Sequence, residues 1–317
     1  RREAARCFGS TAPRPPREVS RRLWDILWPV EGGRALSSAL HTAENMLVPA
    51  CLAVYLAVSG GRTAALEQYG TLKGMALPLL NFPFGLLGSL AVLLMPEITQ
   101  AHIEGQTARL NALLDRMLRL TGYFSALAGT LFWVWGRPLA QLLYHSPEAG
   151  FYLEILAPAM PLMYLESMVD GAMKGIGEQK AAFRYSVWDA VLRIGGVALL
   201  LPRYGMRGFL AVILLSSFYT CVANTGRLLL SSGTGHAFRR WLGAPLLAAA
   251  AAGAAGRGVR RALAGFPAQG LPGQLAVLTA GGTVTAIVFL LAALPLGLWE
   301  EVRAVLRQAK TGKNRGK

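Results

Sequence analysis

The sequence predicts an all-α fold, a polytopic bundle of about eight transmembrane helices. Composition is the first observation: the chain is 53% hydrophobic and only 15% charged, with a mean hydropathy of +0.40. A soluble domain carries nearer a quarter of its residues as charge. Second, long apolar runs alternate with short loops rich in Arg, Gly and Pro. Third, the run from Tyr69 to Ala101 has no charged residue between Gly74 and Met95, yet holds Pro78 and Pro83 inside and Pro96 at its end. That run is long enough for a hydrocarbon core of about 30 Å. Each proline removes a backbone donor, and carbonyls freed in this way are tolerated in lipid only where they meet protein or a water-filled cavity. A broken helix lining a cavity is therefore expected here, the arrangement used by transporters.

Taken in order, residues 1–22 are an arginine-rich, proline-containing segment (Arg1, Arg2, Arg6, Arg14, Arg17, Arg21, Arg22), which suits a cytoplasmic linker. Apolar length and breaker signals then place spans at about 23–59, 69–101, 110–135, 152–174, 181–201, 208–230, 241–256 and 274–299. The seventh is short and rich in Ala and Gly, so whether it crosses fully is left open. Residues 23–231 make a six-helix unit, 232–308 two further spans, and 309–317 a basic cytoplasmic tail. No alternating pattern of strand type competes.

With the N-terminus inside, the inner loops and tails hold roughly three times as many Lys and Arg as the outer ones, the bias expected of cytoplasmic segments. Both termini are thus expected in the cytoplasm of a plasma-membrane protein. The group Arg257, Arg260 and Arg261 falls on the outer side and stands against the rule. The net charge of +15 follows from this topology and not from nucleic-acid binding, since no basic motif interleaved with aromatics is present.

A charge at the bilayer centre costs about 2.5–3.5 kcal/mol on insertion scales, so charges within spans are candidates for function. In the first span Glu31, Arg34, Ser38, His41 and Asn45 follow steps of 3, 4, 3 and 4, with Glu44 beside them. They form one polar face. Glu166, Asp170 and Lys174 lie four apart in the fourth span, and Tyr185, Asp189 and Arg193 four apart in the fifth; Ser217, Thr220, Asn224 and Arg227 mark the sixth. Local pairing accounts for some of these: Asp189 with Arg193 along one turn, Lys174 reaching the interface. Four polar stripes cannot all face lipid, so they are expected to converge on a hydrated cavity. The candidate cations for a substrate are Arg34, then Arg193, then Lys73; the carboxylates Glu44, Glu166 and Asp170 are either coupling sites for sodium or protons, or counter-ions to the arginines.

Nothing points to catalysis. The chain has no Gly-x-Ser-x-Gly, phosphate-binding loop or HExxH pattern. Cys7, Cys51 and Cys221 are isolated and form neither a disulfide framework nor a metal pattern, and the four histidines have no ligand spacing. No cofactor or metal is expected.

The segments NMLVP (Asn45 to Pro49), YGTLKGMALPLLNFPFGLLGSLAVLLMPEITQA (Tyr69 to Ala101) and YLEILAPAMPLMYLESMVDGAMKGIGEQ (Tyr152 to Gln179) resemble the stage V sporulation protein B family. That family sits in the multidrug/oligosaccharidyl-lipid/polysaccharide exporter superfamily, beside the MurJ-type lipid II flippases. The resemblance covers about residues 23 to 230; the last two spans match only in number and placement. It implies a second six-helix lobe of a MATE-like fold plus two extra C-terminal helices, with the first lobe as a missing partner and residues 1–22 as the connector between lobes. The chain then reads as the C-terminal part of a longer protein. The implied function is flipping of lipid-linked oligosaccharide or peptidoglycan precursors, whose pyrophosphate needs fixed cations in a wet path. A cation-coupled multidrug exporter of the same superfamily and a non-transporting membrane scaffold are the alternatives.

Overall fold

A computed structural model of the protein describes residues 16–57, 60–233, 239–263 and 270–298. The first fifteen arginine-rich residues and the whole tail from 299, including 309–317, lie outside the described residues. Among the described residues there is helix and turn, and no strand.

Helix α1, Pro16–Tyr55, is 40 residues long, about 60 Å at 1.5 Å per residue. It begins at a proline, whose fixed φ and missing N–H suit a first helical turn, seven residues ahead of the predicted first span. The second span is a chain of pieces: α2, Gly61–Thr71; a π-helical turn, Leu72–Ala76; α3, Leu77–Asn81; and α4, Phe84–Ile103. Then follow α5, Thr107–Tyr144; α6, Pro147–Leu156; a 3₁₀ turn, Ala157–Ala159; and α7, Met160–Gly175. The last elements are α8, Gln179–Ser232; α9, Ala244–Leu263, entered through a π turn at Arg239–Gly243; and α10, Gly270–Ala293, left through a π turn at Leu294–Leu298.

Prolines set the breaks, though not all of them. At the π turn the Leu77 N–H bonds the carbonyl of Leu72, five residues back, and Pro78 next to it has no N–H to restore the α register. The real break is at Phe82–Pro83. Pro96 does not end its helix; α4 runs on to Ile103. The broken span is tied to α7 beside its break. Tyr164 of α7, buried, donates its hydroxyl to the Leu80 carbonyl at 2.5 Å and lays its ring edge-on to Phe84, centroids 5.1 Å apart. Tyr164→Phe leaves that buried carbonyl unpaired and is expected to cost about 1–3 kcal/mol, read as a lower unfolding midpoint of the purified protein in detergent.

Although continuous by hydrogen bonding, α8 is a helical hairpin. Gly205, at φ 57° and ψ −142°, turns the chain back just after Pro202. Pairs then close across the two arms: Gly196 against Val212, Asp189 with Ser216, Glu178 with Arg227. The fifth and sixth predicted spans are these two arms.

Contacts along the helices give each its direction. α1 runs parallel to the first arm of α8, with Gly32 on Phe183, Glu44 on Arg193 and Tyr55 on Gly205. α5 runs antiparallel to α6 and α7, with Gly136 on Leu153 and Gly129 on the Ala157 carbonyl that Pro161 frees. α9 runs parallel to α5, from Gly122 beside Trp241 to Val134 beside Gly256, and α10 returns antiparallel, its Thr285 accepting from the Trp135 indole at 3.0 Å. These are the alternating directions of eight successive passes.

Among the described residues four helices are long and apolar enough to cross a membrane on their own composition: 84–103, 179–232, 240–263 and 271–297. Large apolar side chains such as Phe82, Leu86, Val92, Leu199 and Leu291 stand exposed on the outside of the bundle, the surface a bilayer covers. The chain is a multi-pass membrane protein. The seventh helix is longer than the predicted span and, over residues 240–263, long and apolar enough to cross by length and composition.

The outlying arginines also gain a physical reason. Pro138 has no N–H, so it leaves the Val134 carbonyl free inside α5. Arg260 donates to that carbonyl at 2.8 Å, and the Arg257 guanidinium lies 3.7 Å from the centroid of the Trp133 ring. Both charges are held by α5 itself.

Candidate functional site

A polar cavity of about 500 Å³ lies between α1, α7 and both arms of α8. Helical spacing brings its walls together. α1 contributes Arg34 and His41, two turns apart. α7 contributes Glu166, Asp170 and Lys174, and the hairpin contributes Asp189 and Arg193 from one arm with Thr220 and Asn224 from the other. Within the described span three cations and three carboxylates therefore line one space, so the cavity is polar and nearly balanced.

Arg193 is the anchor. Its Nε donates to Glu44 at 2.6 Å, and Glu44 is only 4% exposed. The local pair expected between Asp189 and Arg193 gives way to this tie between helices; Asp189 instead accepts from the Ser216 hydroxyl across the hairpin. Glu166 lies beside Thr220, while Asp170 pairs with Lys174 one turn on at 2.6 Å. At the open end Arg34 pairs with Glu31 at 2.9 Å, both largely exposed. Its guanidinium is thus held by a solvent-facing contact of the kind that contributes little to stability and is readily exchanged for another anion.

Lys73 sits elsewhere. Its ammonium reaches Asn45 and the Tyr69 hydroxyl, and the same Tyr69 hydroxyl donates to Asn45 at 3.0 Å. Those contacts tie the π turn of the second span to α1. The bent second span, expected to form a wall, is not among the cavity's lining residues; near its break the Leu80 carbonyl accepts from the Tyr164 hydroxyl. Ser186, Gln179 and Phe183 line the cavity and were not singled out from the sequence. Ser186 stands three residues before Asp189 and seven before Arg193, a helical spacing that marks the same face. Among the described residues no group of His, Cys, Asp and Glu is arranged to hold a metal ion.

Residues 73–198, from the π turn through α7 to the first arm of α8, match the MatE family. The sporulation protein YkvU of Bacillus subtilis (strain 168) is 29% identical over 216 residues, 68% of this chain and 46% of the relative. Stage V sporulation protein B of the same organism is 25% identical over 183 residues, 57% of this chain and 35% of the relative. Residues 73–198 are thus similar to the MatE family, and the chain is similar to sporulation proteins of the stage V sporulation protein B kind. It matches about half the length of these relatives or less. Within the MatE match lie Glu166, Asp170, Asp189 and Arg193; Arg34, Thr220 and Asn224, which complete the cavity, fall outside it.

Proposed function

We propose that this MatE-type chain forms one half of a flippase for lipid-linked oligosaccharide or peptidoglycan precursors, operating by alternating access against a second lobe. One observation carries the reading: arginines and carboxylates converge from three helices on one polar cavity inside a membrane bundle. Arg34, at the open end with an exchangeable partner, is the group that meets a pyrophosphate first. Arg193 supplies fixed positive field deeper in, held by Glu44. Lys73 supports α1 from behind. In this reading Asp170 and Glu44 are counter-ions, both termini are cytoplasmic and the protein sits in the plasma membrane. With the interior negative, each negative charge moved outward gains about 2.3 kcal/mol per 100 mV, so a pyrophosphate is driven outward without ATP. The similarity to sporulation proteins suggests a cell-envelope precursor as the cargo.

The test is complementation. The chain, expressed with a first lobe of a related protein, should restore growth to a strain depleted of its precursor flippase, and Arg34→Ala should reduce that growth at least tenfold in plating efficiency. Full growth with Arg34→Ala removes the role given to Arg34.

Glu166 favours a second reading, a cation-coupled multidrug exporter, because its carboxylate faces the cavity beside the Thr220 hydroxyl while Asp170 is already taken by Lys174. That reading predicts drug sensitivity on Glu166→Gln with no defect in the cell envelope. Transport, not catalysis, is common to both.

A further inference from the structure

A second polar feature lies at the opposite end of the bundle from Arg34, where α5 meets the start of α6. A cavity of about 400 Å³ is lined there by Arg137, Gln141, Phe151 and Arg260. Next to it along the same seam, an apolar slot of about 180 Å³ runs between α5, the 3₁₀ turn and α9, with Gly129, Trp133, Pro158, Pro161 and Ala250 in its walls. Trp133 lies at the arginine end of the slot. Its ring borders the slot and carries the Arg257 guanidinium on its face. Trp133 and Arg137 are one turn apart on α5, about 6 Å along the axis, and Arg257 and Arg260 are one turn apart on α9.

The charges facing this place come from α5, α6 and α9. Glu154 is paired with Arg137, and Glu148 accepts from the Tyr152 hydroxyl at 2.8 Å. Arg257 and Arg260, with Arg261 beside them, have no carboxylate in those contacts. Arg260 uses NH1 on the Val134 carbonyl, and a guanidinium has five N–H donors in a fork that fits phosphate. Cations above an apolar slot have the shape and charge of one lipid molecule: headgroup at the arginines, acyl chain along Trp133 and the prolines.

We infer that the seam between α5, the α6–α7 break and α9 is a binding site for an anionic phospholipid of the adjacent leaflet, held by Arg137, Arg257 and Arg260. The site is separate from the cavity of α1, α7 and α8, and the inference does not depend on what that cavity transports. It gives the arginines that stand against the positive-inside pattern a ligand on their own side of the membrane.

Native mass spectrometry of the purified chain in detergent, titrated with phosphatidylglycerol, phosphatidylcholine or inorganic phosphate, tests this. Phosphatidylglycerol should be retained at least tenfold better than phosphatidylcholine. Arg137→Gln with Arg257→Gln should abolish that preference. Ala250→Trp keeps every charge but fills the slot, and should weaken retention of both lipids several-fold; it also guards against a fold defect in the charge variant, since either variant alone suffices to lower retention. Equal retention of the two lipids overturns the inference. So does a phosphatidylglycerol preference that survives the charge variant, or displacement by inorganic phosphate with no effect of Ala250→Trp, which would leave a plain anion site.

Discussion

Arg193→Ala should lower the stability of the bundle by about 3–5 kcal/mol, the range for stripping one partner from a buried ion pair. Glu44 is 4% exposed and bonds Arg193 at 2.6 Å, so removing the guanidinium strands a carboxylate between α1 and α8 with little water to solvate it. The sign of the second step separates this account from a simple loss of packing. Replacing both members with apolar residues of similar size, Glu44→Met with Arg193→Met, should recover most of the loss, because a matched apolar pair avoids the desolvation that the ion pair must overcome. The unfolding midpoint in detergent, measured for the two single variants and the double, reads this coupling directly. Additive losses in the double would mean that the two side chains act independently.

Gly205→Val is expected to be at least as damaging. At φ 57° and ψ −142° the backbone lies where essentially only glycine goes, and a Cβ there would meet the Tyr55 ring of α1. Backbone strain of about 1–3 kcal/mol adds to a steric conflict of about 1–3 kcal/mol. The consequence reaches the cavity, because Gly205 sets the hairpin that brings Asp189 and Arg193 on one arm into the same cavity as Thr220 and Asn224 on the other. Yield of folded, monodisperse protein should fall sharply. Tyr55→Ala in the same chain should restore only the steric part. Complete rescue by Tyr55→Ala would show that the backbone of Gly205 is under no constraint of its own.

Much of this architecture is legible in the sequence, for a definite reason. Crossing lipid demands uninterrupted apolar length, so spans announce themselves, and the turn at 202–207 shows as Pro202 and Gly205 between two apolar runs. Polar stripes are equally plain, because helical spacing forces Glu166, Asp170 and Lys174, or Asp189 and Arg193, onto one face. Partners across helices leave no such trace. Asp189 is one turn from Arg193 and was the natural partner by local geometry, yet the tie is made to Glu44, 149 residues away. Prolines mislead in the same way. A proline shows that a carbonyl is freed, but not what takes it: Tyr164 bonds the Leu80 carbonyl beside the Phe82–Pro83 break, and Arg260 takes the Val134 carbonyl freed by Pro138. The latter pairing explains how arginines persist in loops where charge counting does not expect them. Two helix starts fall before the expected spans, at α1 and at α2, where charged residues continue the helix beyond the apolar run.

The most direct measurement of the central claim is transbilayer movement of a fluorescent lipid-linked pyrophosphate sugar in proteoliposomes holding the chain together with a first lobe, under an imposed membrane potential. The account predicts movement toward the positive side that speeds up with the potential and is lost in Arg34→Ala and slowed in Glu44→Met with Arg193→Met. Movement that is indifferent to the potential, and unchanged in both variants, would contradict it.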